Sequence, residues 1–356
     1  EVPRSLEAAL NFARHLADDR QDPRALSLFT SGFKDREGRQ VARLLDTPWC
    51  NGAVWSMNSM PGLSGTPTDF SLKWNAQLQQ RLYEESRQGK LDGEYIDSSE
   101  GYVTAELDYC RDHFAAAKTP LCFCRLTHRP AIFRGLIAFE YTREIADDIH
   151  ARNGLMMANS TPSRLPWLAP LLDVMGSETN WHFEGKWLPM SDEEMLYRRA
   201  LCKGKPFCFL MNTRFEEFSY ELVERYMRRS LAYGMFPGFF SHNASEGHYF
   251  SRPELYERDR SLFKKYIPIC KRLAEAGWEP ITGAESDDDK IHIERFGKRL
   301  FTIFNDSNQT RHATIQFHLS SMKRCQNVLN GQQLFCEEGC VTVKLAAEDV
   351  AVIELK

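Results

Sequence analysis

Residues 206–240 read Pro206-Phe207-Cys208-Phe209-Leu210-Met211-Asn212, then an amphipathic segment at 216–232, then Met235-Phe236-Pro237-Gly238-Phe239-Phe240. Two nearly all-apolar runs of strand length therefore flank one segment of helical length. Strands without polar alternation are typical of parallel sheets that are buried on both faces. This stretch predicts a β-α-β unit.

The same alternation continues on both sides of this unit. Further apolar runs stand at 51–58, 91–98, 155–159 and 171–176, and helical patterns at 70–89, 103–117, 137–152, 191–203 and 258–276. We expect an α/β fold with a (β/α)₈ barrel, and an open doubly wound sheet is the alternative. No Gly-x-Gly-x-x-Gly follows a strand, which disfavours a dinucleotide fold.

The strand count falls short of a barrel. Six strands are clear between residues 51 and 240, and 25–29 is a candidate for one more. Either the chain lacks amino-terminal barrel strands, or the early strands are shorter than the pattern reveals.

The chain changes character near residue 283. Strand-like runs with period-two alternation follow one another, with turn signals at 305–308 and 330–331 between them. We predict a barrel domain at 1–283 and a small antiparallel β-sandwich at 284–356.

The composition excludes several classes of protein. The 356 residues include 45 basic and 49 acidic side chains, a net charge of −4, so no basic face for nucleic acid is expected. The apolar runs are too short for a membrane span. Residues 1–4 do not begin a signal peptide, and a leader removed earlier would favour a secreted or periplasmic location. The sequence leaves the compartment and the oligomeric state open.

The ten cysteines include no Cys-x-x-Cys pair. Buried free thiols are the simplest reading, and one disulfide between Cys336 and Cys340 is the alternative. We expect neither a metal nor a cofactor. Asn-x-Ser/Thr sequons stand at Asn159, Asn243, Asn305 and Asn308, and they matter only in a cell that glycosylates the chain.

Polar side chains stand where the predicted strands end, and the carboxyl ends of barrel strands carry the chemistry. These residues are Asn58, Asp97, Asn159, Glu178, Asn212, Arg214 and His242. Trp55, Tyr95 and Trp181 lie close to them in sequence. Because aromatic faces stack on sugar rings and amides bind hydroxyl groups, this set suits a carbohydrate better than a phosphate ester.

Two carboxylates are the candidate catalytic groups. Asp97 ends the strand 91–98, where a helix N-cap is the other reading, and Glu178 follows Gly176 and precedes Trp181. Carboxylates at the mouth of a barrel can lie ~5 to 10 Å apart, the separation that glycosidases use. We expect Trp181 to supply an apolar wall that raises the pKa of the acid.

These strand ends, Tyr95-Ile96-Asp97-Ser98 and Gly176-Ser177-Glu178, together with the terminal β region, resemble retaining glycoside hydrolases with a (β/α)₈ barrel. The pattern is nearest to the α-galactosidase/α-glucosidase-like and endo-α-N-acetylgalactosaminidase-like groups, and no single family is identified. The resemblance implies that Asp97 is the nucleophile after strand four and that Glu178 is the acid/base after strand six, acting on an α-linked sugar.

Three alternatives stay open. Glu100 could be the acid/base with Glu216 or Glu217 as nucleophile. The chain could bind carbohydrate without cleaving it. His242, Glu246 and His248 could hold a metal in a hydrolase, although their spacing matches no metal motif.

Overall fold

A computed structural model describes residues 4–47, 50–84, 89, 91–100, 105–161, 163–240, 248–318 and 324–356. The chain divides into two compact units. The first comprises Glu1–Met156 and Pro170–Leu172, and the second comprises Met157–Ala169 and Asp173–Lys356. The predicted boundary at 283/284 stays a prediction.

The first unit is mixed helix and strand. Its helices are α1 (Leu6–Arg20), α2 (Pro23–Ser31), α3 (Asp69–Lys73), α4 (Ala76–Gln79) and α5 (Arg134–Ala151). Its strands are β1 (Ala42–Thr47), β2 (Cys50–Trp55), β3 (Gly93–Ile96), β4 (Leu107–Asp108), β5 (Cys122–Phe123) and β6 (Pro130–Phe133), and β7 (Leu155–Ala158) runs from this unit into the second. β1 and β2 form an antiparallel hairpin.

Two predicted helices of this unit differ from the structure. The segment 70–89 contains α3, α4 and a π-helical turn at Gln80–Glu84, because Asn75 starts a new helix by accepting a hydrogen bond from the Leu78 N–H. The segment 103–117 contains β4 and a 3₁₀ helix at Arg111–Ala116.

The second unit contains the parallel strands that the sequence predicts. They are β8 (Val174–Thr179), β11 (Phe207–Met211) and β12 (Phe236–Phe239), with the short hairpin β9 (His182–Phe183) and β10 (Lys186–Trp187) after β8. The helices are α6 (Asp192–Cys202), α7 (Tyr220–Ala232) and α8 (Pro253–Ala276). A five-stranded sheet has the order β12-β11-β8-β7-β3, and its pairs β12–β11, β11–β8 and β8–β7 are parallel.

The two faces of β11 are buried to different degrees. Phe207, Phe209 and Met211 are fully buried, whereas Cys208 and Leu210 between them are half-buried. Side chains alternate along a strand, so the first set lies in the core of the second unit and the other set lies on the opposite face of the sheet.

β8 and β11 approach each other closely at Gly176. A Cβ atom at this position would lie 2.7 Å from the carbonyl oxygen of Cys208. Glycine is therefore the residue that lets these two backbones pair in this register.

The parallel sheet is confirmed, and closure into an eight-stranded barrel is not. Within the described residues the sheet has five strands, with β12 and β3 as its outer members. The early run at 51–58 belongs instead to β2 and the residues after it, and the run at 25–29 lies in α2.

The last part of the second unit is antiparallel. Its strands are β13 (Trp278–Glu279), β14 (Ala284–Ser286), β15 (Ile291–Phe296), β16 (Leu300–Asn305), β17 (Arg311–Phe317), β18 (Arg324–Asn327), β19 (Gln333–Phe335), β20 (Cys340–Leu345) and β21 (Val350–Leu355). One sheet has the order β13-β15-β16-β21-β18-β19, and the other has the order β14-β17-β20. Buried side chains from both sheets, such as Phe301, Ile315 and Ile353, belong to one hydrophobic cluster.

All ten cysteines are free thiols, so the possible Cys336–Cys340 disulfide is not formed. Within the described ranges, no helix is both long enough and apolar enough to cross a membrane.

Candidate functional site

Three of the expected site residues meet at the carboxyl ends of adjacent parallel strands. Asn159 follows β7, Glu178 lies near the end of β8, and Asn212 follows β11. Asn159 Nδ2 donates to Glu178 Oε1 at 2.8 Å, and Asn212 Nδ2 donates to Glu178 Oε2 at 3.1 Å. Each carboxylate oxygen therefore accepts a hydrogen bond from a neutral amide.

The sheet register explains this meeting. Glu178 is paired with Leu210, two residues before Asn212, and side chains two residues apart share one face of a strand. Glu178 and Asn212 thus lie on the half-buried face of the sheet, opposite the core face that carries Phe209 and Met211.

Burial differs sharply within the group. Asn159 is 1% exposed, Asn212 is half-buried and Glu178 is exposed. Asn159 Oδ1 also accepts from the backbone N–H of Glu178 at 3.2 Å and of Ser160 at 2.7 Å. The buried Asn159 side chain therefore orients the solvent-exposed carboxylate of Glu178. An exposed carboxylate can accept a proton, or a hydrogen bond from a hydroxyl group of a ligand.

We correct the expectation that Trp181 offers an aromatic face to a ligand. Its indole is 1% exposed and packs edge-to-face against Phe209 and Tyr226, with ring centroids 5.1 and 5.2 Å away. Because the residue turns into the core after β8, it contributes to packing in the second unit.

Arg214 and the two alternative glutamates form ion pairs near the start of α7. Arg214 is exposed and lies 3.3 Å from the Glu217 carboxylate. Glu216 accepts a hydrogen bond from Arg252. These pairs give Glu216 and Glu217 the surroundings of surface ion pairs.

Asp97 lies in the first unit, directly after β3. It is exposed, and its carboxylate accepts hydrogen bonds from the hydroxyls of Tyr95 and Ser98, each at 3.4 Å. Tyr95 is also exposed. Glu100, the alternative acid/base, is 1% exposed and is therefore more deeply buried than Asp97.

Asn58 lies in the interior of the first unit. It is fully buried, its Nδ2 donates to Asp108 Oδ2 at 3.0 Å, and His113 Nδ1 lies 2.6 Å from the same oxygen. We therefore correct its expected role, because this amide belongs to a buried polar network of the first unit.

Trp55 lines a cleft of the first unit that the sequence does not reveal. The cleft has a volume of about 1220 Å³, and its walls come from α1, α2, the β1–β2 hairpin and α3. Its apolar lining includes Phe12, Leu28, Leu44 and Leu72. In the sequence, the only sign of this cleft is that α1 and α2 each have an apolar face. The cleft itself forms between elements that are distant in sequence, so a local pattern does not reveal it.

His242 and Glu246 lie outside the described residues. The hypothesis that they hold a metal ion together with His248 therefore stays a prediction. Among the residues that are described, no group of three or more His, Cys, Asp or Glu side chains is arranged to hold a metal ion.

No protein-family model matches the sequence, and no curated protein is significantly similar to it. Several of the solved structures to which the chain is similar are glycoside hydrolases. A proposed α-galactosidase/melibiase from Bacteroides fragilis shares 12% identity over 76% of this chain and 62% of its own, with a TM-score of 0.46.

An α-amylase from Anoxybacillus shares 12% identity over 61% of this chain and 56% of its own, with a TM-score of 0.39. The protein AmyP, solved with maltose, shares 11% identity over 98% of this chain and 78% of its own, with a TM-score of 0.41. The chain thus spans about three fifths of the length of the first two proteins. These identities and TM-scores identify neither a family nor an activity.

Proposed function

We propose that this protein is a glycoside hydrolase that cleaves an O-glycosidic bond of an α-linked sugar with retention of configuration. The observation that carries the proposal is the exposed Glu178 carboxylate at the ends of the parallel strands, with an amide donating to each of its oxygens. Amides bind sugar hydroxyls, and a carboxyl group in its acid form transfers a proton to a glycosidic oxygen.

In the proposed mechanism, the Asp97 carboxylate attacks the anomeric carbon and forms a glycosyl-enzyme. Glu178 protonates the departing oxygen and later removes a proton from the water that releases the sugar. The exposure of both side chains supports these roles. Retaining glycosidases carry their two catalytic carboxyl groups about 5 Å apart.

The proposal includes the wider architecture. We propose that the five strands of this sheet belong to a (β/α)₈ barrel within 1–283, and that the two antiparallel sheets with their shared cluster form a β-sandwich within 284–356. Trp55, Tyr95, Asn212, Arg214 and His242 remain proposed substrate contacts.

The test compares acid variants on a panel of aryl α- and β-glycosides. We expect Asp97→Asn and Glu178→Gln each to lower kcat/KM about a thousandfold or more, because each removes one catalytic carboxylate. The matched controls are Asp92→Asn, at the other end of β3, and Glu257→Gln, whose carboxylate pairs with Arg260 on the surface of α8. These should change kcat/KM less than threefold.

The stereochemistry is tested by following the product anomer by NMR, and an α-anomer formed first from an α-glycoside supports retention. Full activity of Asp97→Asn would remove the nucleophile assignment. Loss of activity in Glu217→Gln but not in Glu178→Gln would favour the alternative carboxylates. Glycan binding without any turnover would favour a carbohydrate-binding protein.

A further inference from the structure

Asn159 makes an unusual set of contacts for an asparagine at the edge of a candidate site. Its Nδ2 donates to Glu178 Oε1 at 2.8 Å, and its Oδ1 accepts two backbone N–H groups, those of Glu178 and Ser160. The residue thus contacts both the side chain and the main chain of the same glutamate.

We propose that Asn159 is a positioning residue that fixes the orientation of the Glu178 carboxylate and does not itself contact the substrate. This inference deepens the proposed function and rests on it for its kinetic consequences. It revises the sequence-based expectation that Asn159 binds the substrate directly.

Burial supports the separation of roles. At 1% exposure, Asn159 offers no surface to a ligand, whereas the side chain that it holds is exposed. Glu178 has three rotatable side-chain bonds, and an exposed glutamate with no fixed donor samples several rotamers. One buried amide with both ends bonded removes much of this freedom.

The backbone after β7 contributes to the same arrangement. Ser160 has a φ of +59°, the left-handed conformation that non-glycine residues rarely adopt. In this conformation its N–H donates to Asn159 Oδ1 at 2.7 Å. The turn therefore orients the amide so that its N–H₂ group is directed at Glu178.

Asn212 acts on the other oxygen but differs in exposure. It donates to Glu178 Oε2 at 3.1 Å and is half-buried, so a ligand can reach its side chain. With one donor on each oxygen, the plane of the carboxylate is defined. We infer that Asn159 orients Glu178 and that Asn212 both orients it and contacts the substrate.

The first test compares Asn159→Ala with Asn212→Ala in steady-state kinetics. A carboxylate displaced by about 1 Å costs on the order of 10²-fold in rate. We expect Asn159→Ala to lower kcat about a hundredfold with KM changed less than threefold. Asn212→Ala should also raise KM at least tenfold, because it removes a substrate contact.

The second test uses Asn159→Asp, which keeps the size of the side chain and its acceptor oxygen. Near neutral pH the new carboxylate replaces the N–H donor and repels Glu178, so activity should fall as far as in the alanine variant. At lower pH a proton shared by the two carboxyl groups restores a donor. We expect the ratio of variant to wild-type activity to rise about tenfold between pH 7 and pH 5, a rise that Asn159→Ala should lack.

A buried asparagine of the antiparallel region provides the control. Asn305→Ala should lower Tm and leave kcat per folded molecule unchanged, because Asn305 is fully buried and bonds only backbone carbonyls through its Nδ2.

Crystal structures separate the failure of this inference from failure of the proposed function. If the wild type hydrolyses no glycoside, the proposed function fails, and the orientation of Glu178 in Asn159→Ala and Asn159→Asp crystals still decides the inference. A Glu178 side chain that turns away from its wild-type position supports positioning. An unmoved Glu178, a kcat within twofold of wild type, or equal loss in Asn159→Asp at every pH overturns it.

Discussion

The parallel and antiparallel regions of the second unit each contain a glutamate and a buried asparagine, and they use them in opposite ways. At the parallel strand ends, buried Asn159 holds exposed Glu178. In the antiparallel sheets, Glu294 is itself buried and accepts from the indole N–H of Trp278, while buried Asn305 donates to backbone carbonyls.

The exposure of the acid distinguishes a polar network that stabilises the fold from one that is a candidate for function. A buried amide that satisfies backbone carbonyls contributes to folding and faces no ligand. A buried amide that orients a solvent-exposed acid contributes to what that acid can do. The parallel strand ends are therefore where we expect substitutions to affect activity more than stability.

The largest expected effect separates the roles of the two catalytic candidates. Sodium azide should restore turnover of activated aryl glycosides by Glu178→Ala and give a glycosyl azide with the configuration of the substrate, because azide attacks the glycosyl-enzyme. For Asp97→Ala, azide should give the inverted product, because it replaces the nucleophile. NMR of the glycosyl azide checks both outcomes.

Glu294→Gln is the companion variant from the antiparallel region, and it should neither need azide nor lose activity. Rescue products of the same configuration from both carboxylate variants would break the proposed division of roles.

The next effect concerns stability. We expect Asn305→Ala to lower the free energy of unfolding by about 3 kcal/mol, because it removes the Asn305 amide donor from the carbonyls of Gln309, Leu345 and Ala346. Asn159→Ala should cost about half as much, since solvent can replace the donor on exposed Glu178. Urea denaturation of both variants measures the difference, and a larger loss for Asn159→Ala would contradict the comparison.

A smaller effect depends on pH. Burial raises the pKa of Glu294 from 4.5 to about 7. Between these values the unfolded chain loses a proton that the folded protein keeps, so this group lowers stability as pH rises and the penalty stays above pH 7. We expect Glu294→Gln to raise the free energy of unfolding by about 2 kcal/mol at pH 8 and to change little at pH 4.

The neighbouring His292 is present in both proteins, so the difference between wild type and Glu294→Gln isolates the glutamate. The hydrogen bond to Asp306 raises the pKa of His292, which gives a stabilisation that is lost as pH rises. An equal gain from Glu294→Gln at both pH values would contradict a raised pKa for Glu294.

The smallest effect concerns the sequons. Asn159 and Asn305 are buried and their amides are bonded, whereas Asn308 is exposed in the turn between β16 and β17. In a host that glycosylates the chain, folded protein should carry a glycan at Asn308 and none at Asn159 or Asn305. Peptide mass spectrometry checks this, with Asn308→Gln as control, and a glycan on folded protein at Asn159 would contradict the contacts described.

Sequence periodicity predicted the parallel strands well. The runs at 155–159 and 206–212 became β7 and β11 within a few residues, and the rule that strand ends share an edge brought Asn159, Glu178 and Asn212 together. The helix at 137–152 corresponds to α5. Local pattern suffices here because the same few residues determine both the strand and its end.

Other features depend on contacts that a linear pattern does not contain. Trp181 follows a strand end as Asn159 does, yet its indole packs into the core against Phe209 and Tyr226, residues distant from it in sequence. The hydrogen bond from Asn58 to Asp108 joins residues fifty positions apart. Nor could the sequence show that the Asn159 amide contacts Glu178 and not a ligand.

Gly176 has a practical consequence for anyone who diversifies the surroundings of Glu178. Any larger side chain would force the carbonyl of Cys208 away and separate the two backbones that carry Glu178 and Asn212. Randomised libraries should therefore keep this position invariant, because variants lost there would report on strand spacing and would be mistaken for defects in ligand recognition.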